Sequence, residues 1–383
     1  MSKRIFRKNS PFLLALIGLI ITGVLCLIPT GYEDARIYRD DERVRAEVIS
    51  VDNSAVRSSG LIKSGEQNCV ILVKKGIFKG REIEAVNFLS GSLEQDKIFE
   101  EGDSCLVTIS HEGEDINSAV LSDHYRLDKE AVLLILFFTL LIVFAGKRGL
   151  LAIFSFVITI LTLWKILVPA YLNGVNPVWL GMGITLLLTC IIIFFVYGFD
   201  IKTVCGVLGS FLGIFTTCIM GIIFTDLFKI HGAVMSNSET LLYSGYQNLN
   251  LTSIFMSSIF IGASGAMMDL AVDITSAVNE VVEKKPEISR REAARSGMNV
   301  GRAAMGTMTT TLLLAYSGSY IALLMVFMAQ GTPIDHILNY KHVSAEILDT
   351  IVGSFGLVTV APFTAAVSGF LLTSRKKEKF HFR

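Results

Sequence analysis

The sequence predicts an α-helical polytopic membrane bundle of about eight transmembrane helices, carrying one small extracytoplasmic β-barrel-like (OB-type) domain. Three observations lead there. Apolar residues make up 52% of 383 positions and gather into segments long enough to cross a bilayer as helices. Basic residues cluster on alternate loops. One stretch of about a hundred residues switches to the two-residue periodicity of strands.

The apolar segments are 12–29, 130–146, 149–168, 178–198, 203–225, 252–274, 305–330 and 347–373. The basic clusters are Lys3–Lys8, Lys147–Arg148, Lys284–Arg302 and Arg375–Arg383, whereas loops 169–177, 226–251 and 331–346 hold only Lys229 and Lys341. An excess of Lys and Arg marks cytoplasmic loops, so eight crossings put both termini inside and every basic cluster with them. No small-residue cleavage site follows the first segment before Gly31–Tyr32, so that segment reads as a retained anchor. The chain then divides into a cytoplasmic basic tail and first helix (1–30), an extracytoplasmic β domain (31–128) and a seven-helix membrane domain (129–383).

Within 31–128, RVRAEVISVD (43–52) alternates Val44, Ala46, Val48 and Val51 with polar residues, with a shift at Ile49. Residues 68–91 suggest two strands, Cys69–Val73 and Glu82–Phe88, around a Lys-Gly turn region, and 102–110 and 117–126 add two more. Five short strands suit an OB-type barrel, with a short sandwich as the alternative. Such a domain is a structural cap or a ligand- or partner-capturing module. No aromatic row alternates with basic residues, and Lys+Arg and Asp+Glu balance at 34 each. Both points argue against a nucleic-acid partner.

Four of the six cysteines, Cys26, Cys190, Cys205 and Cys218, fall in spanning segments, where they act as small apolar residues. Cys69 and Cys105 share the external region, either as a disulfide or as two thiols packed in a small core. No spacing suggests a metal site, and no cofactor is expected.

The external stretch 226–251 is too long for a hairpin and carries spaced apolar residues with Tyr243 and Tyr246, which suits the membrane surface. In the cytoplasmic stretch 275–302, the sixth helix should run on to Lys285 and break at Pro286. Ser289 with Glu292 three residues later then forms a capping-box pattern for a new helix.

The chemistry-bearing residues lie in the sixth and seventh segments. SIFIGASGAMMDLAVDITSAV (258–278) is apolar or small except for Asp269 and Asp273. An intramembrane carboxylate costs about 2.5–3.5 kcal/mol on insertion scales, so it is a functional candidate by default. Spaced i, i+4, the two share a helix face, where two like charges in low dielectric are expensive to keep ionised together. Thr307, Thr309, Thr310 and Thr311 fall at matching depth on the next helix, which begins near Arg302. These residues are the ion- or proton-relay candidates. The plainer alternative for Asp273 is an interfacial pair with Arg302. Gly262, Gly265 and Ala266 share the face of Asp269, and Gly209 and Gly213 mark one face of the fifth segment. Small stripes of this kind let helices approach closely, so Asp269 is expected to face the bundle interior toward Thr307–Thr311. Gly306, Ser317, Gly318 and Ser319 are places where the seventh helix can bend.

GASGAMMDLAVDITSAVNEV (262–281) and SGMNVGRAAMGTMTTTLLLAYSG (296–318) resemble the YibE/F family of multipass bacterial membrane proteins. The resemblance extends over the other spanning segments and, more loosely, the β domain. It implies a bacterial cell membrane location and no settled activity. More distantly, Gly265, Asp269 and Ala271, followed by Arg302, Thr307, Thr309 and Thr310, are similar to the core of resistance–nodulation–division exporters and the SecD/SecF export proteins. There an intramembrane acid is linked to proton flow, a role this likeness implies for Asp269 alone. The external domain is far smaller than a substrate-porter domain, and the helix count differs.

An enzyme is not expected. Gly262–Ala263–Ser264–Gly265 matches the G-x-S-G of rhomboid-type intramembrane proteases, but a serine nucleophile needs a base within reach. The seventh and eighth segments hold no histidine; His336 and His342 lie between them. The expected function is ion-gradient-coupled transport or export through Asp269, with a non-transporting scaffold or sensor as the alternative. Expected partners are the lipid bilayer, an unidentified small molecule, ion or protein, and, in some arrangements, a second copy of the chain.

Overall fold

A computed structural model describes residues 10–33 and 41–381. The basic tail Lys3–Lys8 and residues 382–383 lie outside the described residues. The chain forms two compact units, Gly31–Leu140 and a second made of Met1–Thr30 with Leu141–Arg383.

The first unit holds strands β1 (Asp41–Asp52), β2 (Val56–Ser59), β3 (Ile62–Val73), β4 (Glu82–Ser90), β5 (Ser104–Glu112) and β6 (Asp115–His124). Pairing runs β1–β5–β6–β4–β3 and returns from β3 to β1, so five strands close a barrel and β2 lies beside β3 outside the ring. All pairs are antiparallel except β4–β6, which touch in parallel at Val86 and Val120. Closure removes the exposed edges that an open sheet would carry. The expected five strands underlie the ring; β2 and the first half of β3, rich in Ser, Gly and Glu, carry little apolar alternation and were not anticipated.

The alternation shift at Ile49 has a structural counterpart. The β1–β3 register slips between Val48 and Ser50, a β-bulge that turns Ile49 outward, 41% exposed. On either side of it the barrel core is built from Val44, Ala46, Val48, Ile71, Val107 and Ile109, with Phe78 and Phe99 supplied by the connections. Cys69 and Cys105 are free thiols inside this core. Burial pushes the Cys105 thiol up to about 12, with Cys69 adding to it, and burial alone raises Cys69 to about 11. Two fully buried amides stitch the barrel to the β4–β5 connection. Gln67 bonds both the N–H and the carbonyl of Phe99, and Asn87 donates to Gln67 Oε1 and to the Lys97 carbonyl.

The helices are α1 (Ser10–Leu27), α2 (Leu127–Thr162), α3 (Val168–Leu172), α4 (Pro177–Tyr197), α5 (Ile201–Leu227), α6 (Ser238–Tyr243), α7 (Leu251–Lys284), α8 (Arg290–Ser317), α9 (Ile321–Ala329), α10 (Ile334–Asn339) and α11 (Lys341–His381). Among the described residues, five stretches are long and apolar enough to cross a membrane: Lys147–Leu172, Pro177–Tyr197, Ile201–Leu227, Leu251–Lys284 and Lys341–Ser374. A sixth is reached if α8 and α9 count as one span across their 68° bend.

The expectation of eight segments is therefore met only in part, for physical reasons. The first forms a shorter apolar helix, Phe12–Leu27. The second ends at a kink in α2, where Gly146 takes φ 56° and ψ −128°, a conformation open to glycine alone. The seventh breaks at the Gly318–Tyr320 turn, within the group of Gly and Ser residues expected to bend it. Segment 226–251 holds a single 3-10 turn, Gly232–Val234, and the short α6.

Helix ends follow their caps. Asn176 accepts from the backbone of Val178 and Trp179 at the start of α4, with Pro177 as first helical residue. Asp200 caps α5. Ser289 and Glu292 complete a reciprocal capping box on α8, after α7 ends at Lys284 with Lys285 as its C-cap. The main membrane core surrounds α7, whose Ala263, Met267, Leu270, Ala271 and Ile274 are fully buried against α5, α8 and α11. A smaller core joins α1, the second half of α2 and α4.

Candidate functional site

The α7 face opposite the core is a continuous open stripe. Ser258, Gly262, Gly265, Asp269, Asp273, Ser276 and Glu280 recur every three or four residues, and all are exposed. Asp269 and Asp273 do share one face with Gly262 and Gly265, as the spacing requires, but that face is not the packed one. A Cβ placed on Gly265 would meet nothing within 4 Å. The expected packing against neighbouring helices is therefore kept at Gly262, which lies against Tyr316, and at half-buried Ala266, which packs on the main core, and is corrected at Gly265; Asp269, expected in the bundle interior, is on the open side.

The close helix approach is made elsewhere. A Cβ on Gly209 of α5 would overlap the side chain of Thr364 on α11, and one on Gly213 would stand 2.9 Å from Val360 Cβ. Gly356 of α11 lies in turn against Thr217 and Met267. Because α5 and α11 supply the glycines, α7 can present Met267, Leu270 and Ile274 to the same core without overpacking.

Two helices wall the open stripe. On the α4 side, the Tyr197 hydroxyl bonds the Val272 carbonyl and Ser276 Oγ, the latter at 2.7 Å. On the α8 side, Tyr316 reaches over Gly262, its hydroxyl 2.6 Å from where a Cβ would be. Beside Gly262, Gly265 and Met268, a cavity of about 350 Å³ opens between α7 and the apolar wall of Ile184, Leu188 and Leu163. Asp269 follows Gly265 one turn along the same stripe. The arrangement is a lateral trough with a small-residue floor, one apolar wall and two carboxylates toward its Lys284 end.

The threonines are not turned toward those acids. Helix α8 packs through Ala304, Met305, Met308, Leu312 and Tyr316, which leaves Thr307, Thr310 and Thr311 exposed and Thr309 half-buried. Each hydroxyl donates to a carbonyl one turn back in its own helix: Thr307 to Ala304, Thr309 to Met305, Thr310 to Gly306 and Thr311 to Thr307, at 2.9–3.1 Å. Arg302 is exposed. No ion pair or side-chain hydrogen bond among the described residues involves Asp269 or Asp273, so the interfacial Asp273–Arg302 pair is not formed. The Ser264 hydroxyl donates to the Ile261 carbonyl. Among the described residues, no group of three or more His, Cys, Asp or Glu is placed to hold a metal ion.

Two acids escaped the sequence reading. Glu346 and Asp349, in the first turns of α11, are drawn into the bundle, and one carboxylate oxygen of each is out of solvent without a hydrogen-bond donor. Their signal was available as two acids three residues apart, entering an apolar segment. It was lost because acids at a segment's end look interfacial.

Residues 133–374 match the model of a family described as YibE/F-like protein. No curated protein and no solved structure matches the chain.

Proposed function

The chain belongs to the YibE/F-like family, and from that premise we propose an ion-gradient-coupled transport or export function in which Asp269 is the proton or ion relay and Asp273 its neighbour on the same face. The observation that carries this reading is the position of Asp269. It is a carboxylate without a protein partner on a helix at the centre of the main core, at the side of a trough walled by α4 and α8. A charged group kept in a membrane helix without a structural partner has a use for its charge. Thr307, Thr309, Thr310, Thr311 and Arg302 take no part in this reading, since the threonine hydroxyls are bonded within their own helix and Arg302 makes no ion pair with either acid. The likeness of Gly265, Asp269 and Ala271 to exporter cores supports the same role. No catalytic step and no cofactor enters it.

The topology that goes with this function has eight crossings, both termini in the cytoplasm and a bacterial plasma-membrane location. The alternation of basic clusters supports that arrangement. The apolar helix Phe12–Leu27 and the apolar first half of α2, with Val132, Leu133 and Phe144 exposed, provide the surface two more crossings would give to lipid. An OB-type barrel goes with the same reading, supported by a closed ring of five strands once β2 is set aside.

The test is charge movement after a pH jump on the protein in a supported membrane. A transient current above that of protein-free lipid supports the relay; a trace identical to protein-free lipid overturns it.

One observation favours a second reading, in which the protein is a scaffold or sensor. The barrel carries a polar cavity of about 230 Å³ lined by Asn53, Val56, Ser58, Lys63, Gln67 and Leu89, on the β2–β3–β4 side where barrels of that type take ligands. Hydrogen exchange of the full chain in envelope extract tests it: protection confined to residues 53–67 and 89–98 supports capture of a ligand or partner, and unchanged exchange there removes the reading.

A further inference from the structure

We propose that Glu346 and Asp349, with Tyr316 and Tyr320, form a second intramembrane proton-binding site, placed toward the Leu251 end of α7 and separate from Asp269. Helix α11 carries both acids, spaced i, i+3 and so on one face. Around them Ala345, Leu348 and Val352 pack against Phe255 and Ile259 of α7 and Ile230 of the α5–α7 connection. This is an apolar setting, and the acids point into it rather than away. Glu346 Oε1 and Asp349 Oδ1 are both out of solvent, and neither accepts a hydrogen bond from the protein.

The groups facing the pair offer hydroxyls and no cation. From the α8–α9 bend, the Tyr320 hydroxyl hydrogen-bonds Glu346, and Tyr316, one turn earlier, presents its ring and hydroxyl between this pair and Gly262. From α7, the residues at this level are Phe255 and Ile259, neither titratable. On α5 and its connection, Asp226, Lys229 and His231 are exposed. On α11 itself, Lys341 is exposed and half-buried His342 lies against Tyr340, ring centroids 5.4 Å apart. Neither makes an ion pair with Glu346 or Asp349.

A separate observation points to an occupant. The α5 row Gly209, Gly213, Thr217 and Gly221 meets the α11 row Thr364, Val360, Gly356 and Val352, four residues forward on one helix for four back on the other. Continued by one step, the same count pairs Thr225 with Leu348, the residue before Asp349. Thr225 is 1% exposed, and its hydroxyl has no partner, although most threonines of the bundle return theirs to their own helix. An orphan hydroxyl at 1% exposure is costly, and the orphan carboxylate oxygens belong to the same stretch of α11. One proton on the carboxyl pair gives all of them a role. The new O–H on Asp349 is a donor to a neighbouring oxygen, and the pair is left with one negative charge instead of two. The proton comes from water at the Lys341 end of α11, and no other bond changes.

This site stands independently of the relay at Asp269, and its test needs no transport. Infrared spectra of the full chain in lipid, recorded over a pH series, report protonated carboxyl groups directly. The expected result is a titrating carboxyl band that Asp349→Asn removes and Asp269→Asn leaves in place, with Tyr320→Phe shifting its frequency by removing the donor to Glu346, the other member of the proton-sharing pair. Should Asp349→Asn fail to fold, the Tyr320→Phe shift alone decides. A band unchanged in Asp349→Asn, no shift in Tyr320→Phe, or a titration displaced by added sodium ions would overturn the proposal, the last by making it a metal-cation site.

Discussion

The Tyr316 hydroxyl stands 2.6 Å from the place a Cβ of Gly262 would take. The contact brings α8 against α7 at the edge of the open stripe, as Gly297 and Gly301 do further along against Ile274. It also separates glycines that are required from those that are not.

Gly265 has open space at its Cβ position, so Gly265→Ala is expected to raise thermal stability slightly, by about 0.5–1 kcal/mol from helix propensity alone. Gly356→Ala is expected to lower it by about 1–3 kcal/mol, since the new methyl overlaps Thr217 and Met267. Thermal unfolding of the two variants in the same detergent checks the sign of each. A stabilising Gly356→Ala would show that α5 and α11 are not packed as described.

The barrel depends on Gln67. Its side chain is fully buried and joins Asn53, Asn87 and both backbone groups of Phe99. Gln67→Leu keeps the volume and strands those partners, at about 1–3 kcal/mol for each buried group left unsatisfied. Limited proteolysis of the full chain should then show faster cleavage in the β4–β5 connection, residues 91–103. Wild-type resistance there would mean that the amide network does not hold the loop.

Cys69 and Cys105 make a pH-dependent contribution. Both thiols have folded pKa values, about 11 and about 12, above the 9.0 of a free thiol, so the folded barrel holds these protons more tightly than the unfolded chain does. The stability linked to them is complete below about pH 9 and is lost as pH rises toward the folded values. At neutral pH both should resist alkylation until the barrel unfolds, and Cys105→Ala should flatten the alkaline loss. Rapid labelling of native protein at pH 7 would contradict this.

Ser289→Ala removes one half of the capping box on α8 and should cost about 1 kcal/mol. Because α8 begins here, faster amide exchange should be confined to residues 290–294. Exchange spread along the whole of α8 would mean that the cap governs the helix and not only its end.

Much of the architecture was legible wherever local chemistry decides it. The Ser289–Glu292 cap, the slip at Ile49 and the break near Gly318 each follow from one or two residues acting on their own backbone. The phase of α7 was not legible, because it was inferred from small residues. Close approach requires a glycine on only one of two facing helices, and here Gly209, Gly213 and Gly356 supply it from α5 and α11. The stripe thus remained open at Gly265 and carried Asp269 outward with it. The threonines misled in a related way, since their hydroxyls are satisfied by their own helix carbonyls and need no partner across the interface.

The central claim is that Asp269 takes up a charge that moves, and the most direct test compares variants in the pH-jump current. Asp269→Asn keeps shape and removes titration, so the account predicts a folded protein with the transient current abolished, while Asp273→Asn only reduces it. A full wild-type current in correctly folded Asp269→Asn would contradict the account.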